Sequence, residues 1–275
     1  MIRPPVLCYH RVGGPPELGI TRVHRDVFVR QMIALAKAGW RTVTLEQFIQ
    51  ADSPYLFPVA RLSGTSGRNF LLTFDDGYES LAEHAYPVLA DVGFTATTFL
   101  VTDFVGRQNL WDVRYTRHRL THLDWPAIET WRARGFDFGS HSATHRRLTW
   151  LREADLVEEL GRSRETLIER LGAAAGRAVA YPFGAANRRT VEIARRAGFE
   201  IGFGGVWESG SDPLRLPRMP VYMWDTARTP LGLRAGPLGT AGRLVAHVAN
   251  RCAVGTSIML ALAGAVRSVR ARLAL

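Results

Sequence analysis

With 275 residues, 47% of them hydrophobic and 22% charged, the chain is long enough to bury one sizeable core. The formal net charge of +10 is carried almost wholly by arginine, Lys37 being the only lysine. These arginines are scattered rather than striped and no nucleic-acid motif accompanies them, which argues against nucleic acid and leaves anionic lipid head groups or an anionic glycan as partners of a basic surface. Cys8 and Cys252 lie near opposite ends in apolar company, so free buried thiols and a reducing compartment are expected. No apolar h-region follows Met1, which predicts a cytoplasmic protein without a signal peptide.

In chain order, Pro5-Val6-Leu7-Cys8-Tyr9 reads as a short buried strand that delivers His10 at its C-terminal end. Asp26 is a plausible helix start, with Phe28, Met32, Ile33 and Leu35 at helical spacing up to Gly39. The pair Gly39-Trp40 recurs as Gly93-Phe94, Gly135-Phe136 and Gly198-Phe199. Each time a helical pattern stops at glycine and an aromatic opens an apolar run, which predicts repeated helix-to-strand junctions of a parallel α/β architecture. Strands are expected over residues 6–9, 42–44, 71–74, 95–101, 136–139, 178–182, 201–203 and 219–222. Residues 51–69 read as a loop near the mouth, and 108–121, containing Trp111, as a second excursion able to line a groove.

Two stretches carry chemistry. The apolar run Leu71-Leu72-Thr73-Phe74 ends in Asp75-Asp76-Gly77, two carboxylates whose joint ionisation in a closed site needs a cation or strong hydrogen bonds. A second strand-like run ends in His141-Ser142-Ala143-Thr144-His145, where two imidazoles four residues apart can converge on one metal ion. One Asp and two His make a catalytic ligand set with open positions. Adjacent acids beside a histidine pair do not suit a glycosidase, whose two carboxylates stand roughly 5–9 Å apart across a sugar.

At these residues the sequence resembles the polysaccharide deacetylase (NodB-homology) family: Thr73-Phe74-Asp75-Asp76-Gly77 matches its first motif and His141-Ser142-Ala143-Thr144-His145 its second. Tyr181-Pro182-Phe183-Gly184 is similar to its third, and Tyr9-His10-Arg11-Val12 resembles the opening of the circularly permuted, poly-N-acetylglucosamine deacetylase-like branch. The resemblance implies a distorted (β/α) barrel of about seven parallel strands that removes N-acetyl groups from an acetylated amino sugar or glycan. It implies Asp76, His141 and His145 as metal ligands, Asp75 as general base, and a backbone N–H near Phe183 as oxyanion donor. Tyr181 and Trp111 are the further substrate candidates. Zinc suits such a ligand set, and cobalt, nickel or iron would bind it too.

The general acid is expected at His10. The alternative, Leu244-Val245-Ala246-His247, has the letters of the family's C-terminal histidine motif but lies in a helix-like run. His24, His84, His118, His122 and His247 are expected at the surface. Ala180 stands where many members carry an arginine that orients the base, and Arg218 is a candidate to replace it. Residues 1–229 would form the catalytic domain and 230–275 a basic, apolar helical extension. There 253–266 carries no charge and suits either the barrel or peripheral contact with a membrane bearing a lipid-linked glycan. Two other functions compete: hydrolysis of a non-sugar amide or cyclic imide on the same fold, and glycan binding without catalysis.

Overall fold

The computed structural model describes residues 4–15, 20–51, 68–110, 119–206, 208 and 211–226. Among these residues, eight parallel strands form one curled sheet: β1 (Val6–Tyr9), β2 (Trp40–Thr42), β3 (Arg68–Phe74), β4 (Thr97–Leu100), β5 (Asp137–Ser140), β6 (Ala178–Ala180), β7 (Ile201–Phe203) and β8 (Met219–Pro220). Seven follow the path β8-β1-β3-β4-β5-β6-β7, and β2 pairs with the start of β3. The sheet is brought round on itself by one segment. Gly202 N–H donates to Pro213 O and Leu216 N–H to Gly202 O, and a few residues later the same segment pairs with β1 as β8. The distorted seven-stranded barrel expected from the sequence is therefore the architecture found, with β2 as an eighth, short strand.

Among the described residues, seven α-helices cover the sheet: α1 (Arg25–Lys37), α2 (Leu45–Gln50), α3 (Ser80–His84), α4 (Tyr86–Asp91), α5 (Trp125–Arg132), α6 (Glu153–Leu171) and α7 (Arg188–Ala197). The four Gly-aromatic junctions behave as the sequence suggests. Gly39, Gly93, Gly135 and Gly198 all have positive φ, and the following Phe94, Phe136 and Phe199 are buried. One boundary differs. The strand expected at 42–44 ends at Thr42, because Thr44 caps α2 through a reciprocal box with Gln47 that removes it from the sheet.

The period-two alternation of the strands decides what faces the barrel interior. In β3, Phe70, Leu72 and Phe74 pack outward with α1 and α4, whereas Leu71 joins an inner cluster with Val6, Phe99, Ala178, Ala180 and Phe203. In β1, Leu7 and Tyr9 belong to the outer core and Val6 to the inner one. The register pairs Val6 with Leu71 and Cys8 with Thr73, so continuing both strands by two residues brings His10 beside Asp75 at the same end of the barrel. Cys8 is a buried free thiol as expected; Cys252 and the 230–275 extension lie outside the described residues. Among the described residues, no helix is long and apolar enough to cross a membrane.

Candidate active site

The ends of β1, β3 and β5 converge. Asp75 and Asp76 follow β3, with Asp75 N–H bonded to Tyr9 O and Gly77 N–H turning back onto Asp75 O at 2.9 Å. That turn puts Asp76 in the left-handed region at φ 69°. Gly77 follows at φ 70°, where an added Cβ would stand 2.6 Å from Leu100 Cδ2. After β5, Ser140 Oγ accepts from Ser142 N–H and Ser142 Oγ from His145 N–H, a local scaffold for two further left-handed residues, Ser142 and His145. Thr144 is tied through both its N–H and its hydroxyl to Glu159, buried on α6, so this helix fixes the loop between the two histidines.

Asp76, His141 and His145 are buried and bring three ligand atoms within 4.8 Å of one another. Asp76 Oδ1 lies 3.6 Å from His141 Nε2 and 3.2 Å from His145 Nε2. Donors about 2.1 Å from a shared cation and about 100° apart would stand roughly 3.2 Å from each other, so the cluster fits a divalent ion. His141 has the matching tautomer. Its Nδ1 is 2.7 Å from Ala180 O, which can only accept, so Nδ1 carries the proton and Nε2 turns a lone pair inward. Burial pushes His141 down to about 4 against the pull of Asp75, so the ring is neutral near pH 7. Burial alone would raise Asp76, but the hydrogen bond to His145 and the charges of the surrounding histidines hold its carboxyl well below the usual range.

Asp75 is held differently. Arg218 Nη1 and Nη2 donate to its Oδ1 and Oδ2, each at 2.7 Å, in a bidentate pair buried on both sides. The Arg218 side chain occupies the barrel interior, its Cζ 5.7 Å from the centre of Phe99 and 5.9 Å from that of Phe203. Ala180 joins the same inner cluster and offers only a methyl group there. Burial would raise Asp75, yet the Arg218 charge, with that of His141, brings it from 3.8 to about 2. Oδ2 also accepts from the Cys8 thiol at 3.5 Å, and burial pushes that thiol up. The same oxygen lies 3.9 Å from His141 Nε2 and 4.0 Å from His10 Nε2, so it looks into the site.

His10 is thus brought to the aspartate pair, its side chain 24% exposed. Phe183 stands at the rim at φ 61°, its ring 4.9 Å from that of His145. Tyr181 is placed otherwise than a substrate residue requires. Its side chain is buried in a third cluster with Val179 and Leu214, and its hydroxyl donates to Leu214 O. The alternation of β6 turns 178 and 180 inward and 181 outward, a signal that was available in the sequence. His122 also departs from expectation: it is buried, stacked on Tyr78 with ring centres 5.1 Å apart. Trp111, His118 and His247 lie outside the described residues, as do 52–67 of the mouth loop. The 108–121 excursion is closed at its base by a bridge between Gln108 and Thr121.

Comparison with known proteins bears on the family and the fold. The family model described as polysaccharide deacetylase matches residues 63–202. YxkH of Bacillus subtilis (strain 168) is 26% identical over 202 residues, which cover 72% of this chain and 63% of that protein, so the chain spans less than two thirds of that relative. A poly-beta-1,6-N-acetyl-D-glucosamine N-deacetylase of Staphylococcus aureus (strain N315) is 24% identical over 72% of this chain and 70% of its own. Among solved structures, the Streptococcus pyogenes deacetylase PplD in complex with acetate superposes with a TM-score of 0.71 at 21% identity, covering 84% of this chain and 97% of that one. IcaB from Ammonifex degensii gives 0.65 at 25% identity, over 90% and 97%.

Proposed function

Because the chain belongs to the polysaccharide deacetylase family, we propose that it hydrolyses a carbon–nitrogen bond other than a peptide bond, removing the acetyl group from an N-acetylated amino sugar or glycan. The observation that carries this reading is the meeting of Asp76, His141 and His145 around one point, beside an Asp75 held by Arg218 and faced by His10.

Asp76, His141 and His145 would hold a divalent cation, zinc best matching two imidazoles and one carboxylate, with cobalt, nickel or iron as the other candidates. Such an ion supplies Lewis-acid activation of a water molecule and of the acetamido carbonyl. Asp75 takes the proton of the attacking water on Oδ2, while Arg218 keeps the carboxylate facing the site and prevents it from turning into a fourth ligand. The Phe183 N–H is the chain's own donor to the oxyanion that develops on the carbonyl. His10, protonated, gives its proton to the amine as the C–N bond breaks, since an unprotonated amine is a poor leaving group. Acetate and a free amino sugar result.

The reading is tested by mass spectrometry for loss of one acetyl group from free, nucleotide-linked and lipid-linked N-acetylated sugars, with a small cyclic imide alongside. Loss of acetyl that stops on chelation and returns with zinc or cobalt is the expected result. Turnover of the imide alone, or metal binding with no hydrolysis of any acetylated sugar, would overturn it.

A further inference from the structure

The segment that carries His141 and His145 runs on through Arg146 and Arg147 to Trp150, and the chemistry above uses none of these three. Arg147 is half-buried. Its Cζ lies 5.1 Å from the centre of the Trp150 ring and 5.9 Å from that of Phe183. Phe183 in turn packs 4.9 Å from the ring of His145. The guanidinium therefore rests on two aromatic rings at the rim of the site, two steps from a candidate metal ligand.

Its partners are the unusual part. Three other arginines that are half-buried or exposed find carboxylates or carbonyls: Arg162 meets Asp103, Arg177 meets Glu200, and Arg164 donates to Gly176 O. Among the described residues no carboxylate pairs with Arg147, and its buried Nε has no hydrogen-bond partner. Stacking satisfies the faces of a guanidinium but not its in-plane N–H donors. A partly desolvated cation with unmet donors is costly unless an anion completes it, and the planar fork of arginine is shaped for carboxylate or phosphate oxygens. Trp150 is 52% exposed beside it and offers a flat apolar face to whatever carries that anion.

We infer that Arg147 is an anion-recognition residue, so that the substrate is an N-acetylated sugar bearing an oxyanion, carboxylate or phosphate, on the acetamido sugar or its neighbour; this rests on the deacetylase reading. Arg147 acts on substrate choice, and the acid and base work stays with His10 and Asp75.

The test uses the full chain and three matched ligands: a neutral disaccharide containing N-acetylglucosamine, the same disaccharide with a hexuronate as second sugar, and N-acetylglucosamine 1-phosphate. Binding is read by calorimetry and turnover as kcat/KM. The wild type is expected to favour at least one anionic ligand by roughly tenfold to a hundredfold, the range of a charge-assisted hydrogen-bonded contact. Arg147→Ala should erase that preference and leave the neutral ligand unchanged, while Arg147→Lys keeps part of it. Whichever of uronate and phosphate gains more identifies the source of the charge. Thermal unfolding of each variant shows that the fold is intact. Equal treatment of the three ligands by the wild type, or an equal loss on all three in Arg147→Ala, overturns the inference. Absence of any hydrolysis would instead remove the deacetylase reading, and the binding arm would still decide the role of Arg147.

Discussion

Replacing Arg218 with methionine removes the cation from a pair in which both side chains are 4% exposed and both carboxylate oxygens are bonded at 2.7 Å. Methionine keeps much of the volume between Phe99 and Phe203, so packing loss is secondary. What remains is a buried Asp75 carboxylate next to that of Asp76, and stranding one partner of such a pair costs about 3–5 kcal/mol. For a chain of this size that lowers Tm by on the order of 10 °C. The pH dependence follows with a definite sign. In the wild type Asp75 is depressed from 3.8 to about 2, so its contribution is complete above the unfolded value and fades as pH falls from about 4 towards 2. In Arg218→Met burial and the Asp76 charge push Asp75 up instead. That acid-dependent contribution disappears, and the acid limb of kcat/KM moves to higher pH. Urea unfolding at neutral pH measures the first effect and a pH–rate profile the second. Adding Asp75→Asn should recover much of the lost stability by removing the stranded charge, although turnover stays lost. An Arg218→Met protein within about 1 kcal/mol of wild type, with its acid limb unmoved, would refute the reasoning.

Asp75→Asn should abolish turnover with metal retained, whereas Asp76→Asn, His141→Ala and His145→Ala should lose metal and activity together. Elemental analysis of purified variants separates the cases, and metal loss confined to Asp75→Asn would reverse the two aspartates. His10→Ala should lower kcat by about 10²–10⁴ and flatten the alkaline limb of the pH profile; a wild-type rate would send the search for the acid elsewhere. Gly77→Ala must hold a positive φ and push against Leu100, so a loss of roughly 1–3 kcal/mol is expected together with weakened metal binding. Denaturant unfolding and metal titration check it, and undiminished affinity would show that the turn does not set the position of Asp76.

Much of this fold is legible because the signals are local. Glycine followed by an aromatic marks four helix ends, and apolar runs that stop in carboxylates or histidines mark strand ends facing a pocket. The strand limit at Thr42 was just as local, since Thr44-Leu45-Glu46-Gln47 spells a capping box. The side chain of Tyr181 could have been placed by alternation along β6. Other features have no local signature. Arg218, a candidate in sequence only for its place just before Met219-Pro220, reaches Asp75 across 143 positions, a pairing that no local signal fixes. His122 looks like a loop residue until Tyr78 and the carbonyl of Arg107, at 2.9 Å from its Nδ1, enclose it. Arg147 is conspicuous only once the residues that fail to pair with it are known.

The backbone gives a reason why the candidate ligands lie where they do. Among the described residues, the non-glycine positions with positive φ are Asp76, Ser142, His145 and Phe183, and all four belong to the site. Each conformation costs of order 1–3 kcal/mol outside glycine. A glycine at Asp76 or His145 would relieve that cost but would supply no ligand atom, so the side chain is needed where the backbone least favours one. The strain is opposed by bonds to the turns themselves: Gly77 N–H to Asp75 O, Thr102 N–H to Ser142 O, and His145 N–H to Ser142 Oγ. Parallel strands end with their side chains pointing along divergent barrel walls, and only a sharp left-handed turn immediately after the last pair bends consecutive residues back towards one point. Asp75 and His10 need no such turn. They continue the inward alternation of β3 and β1, which places the base and acid candidates on relaxed backbone and confines the strain to the candidate metal ligands Asp76 and His145, the Ser142 turn between the two histidines, and the proposed oxyanion donor Phe183.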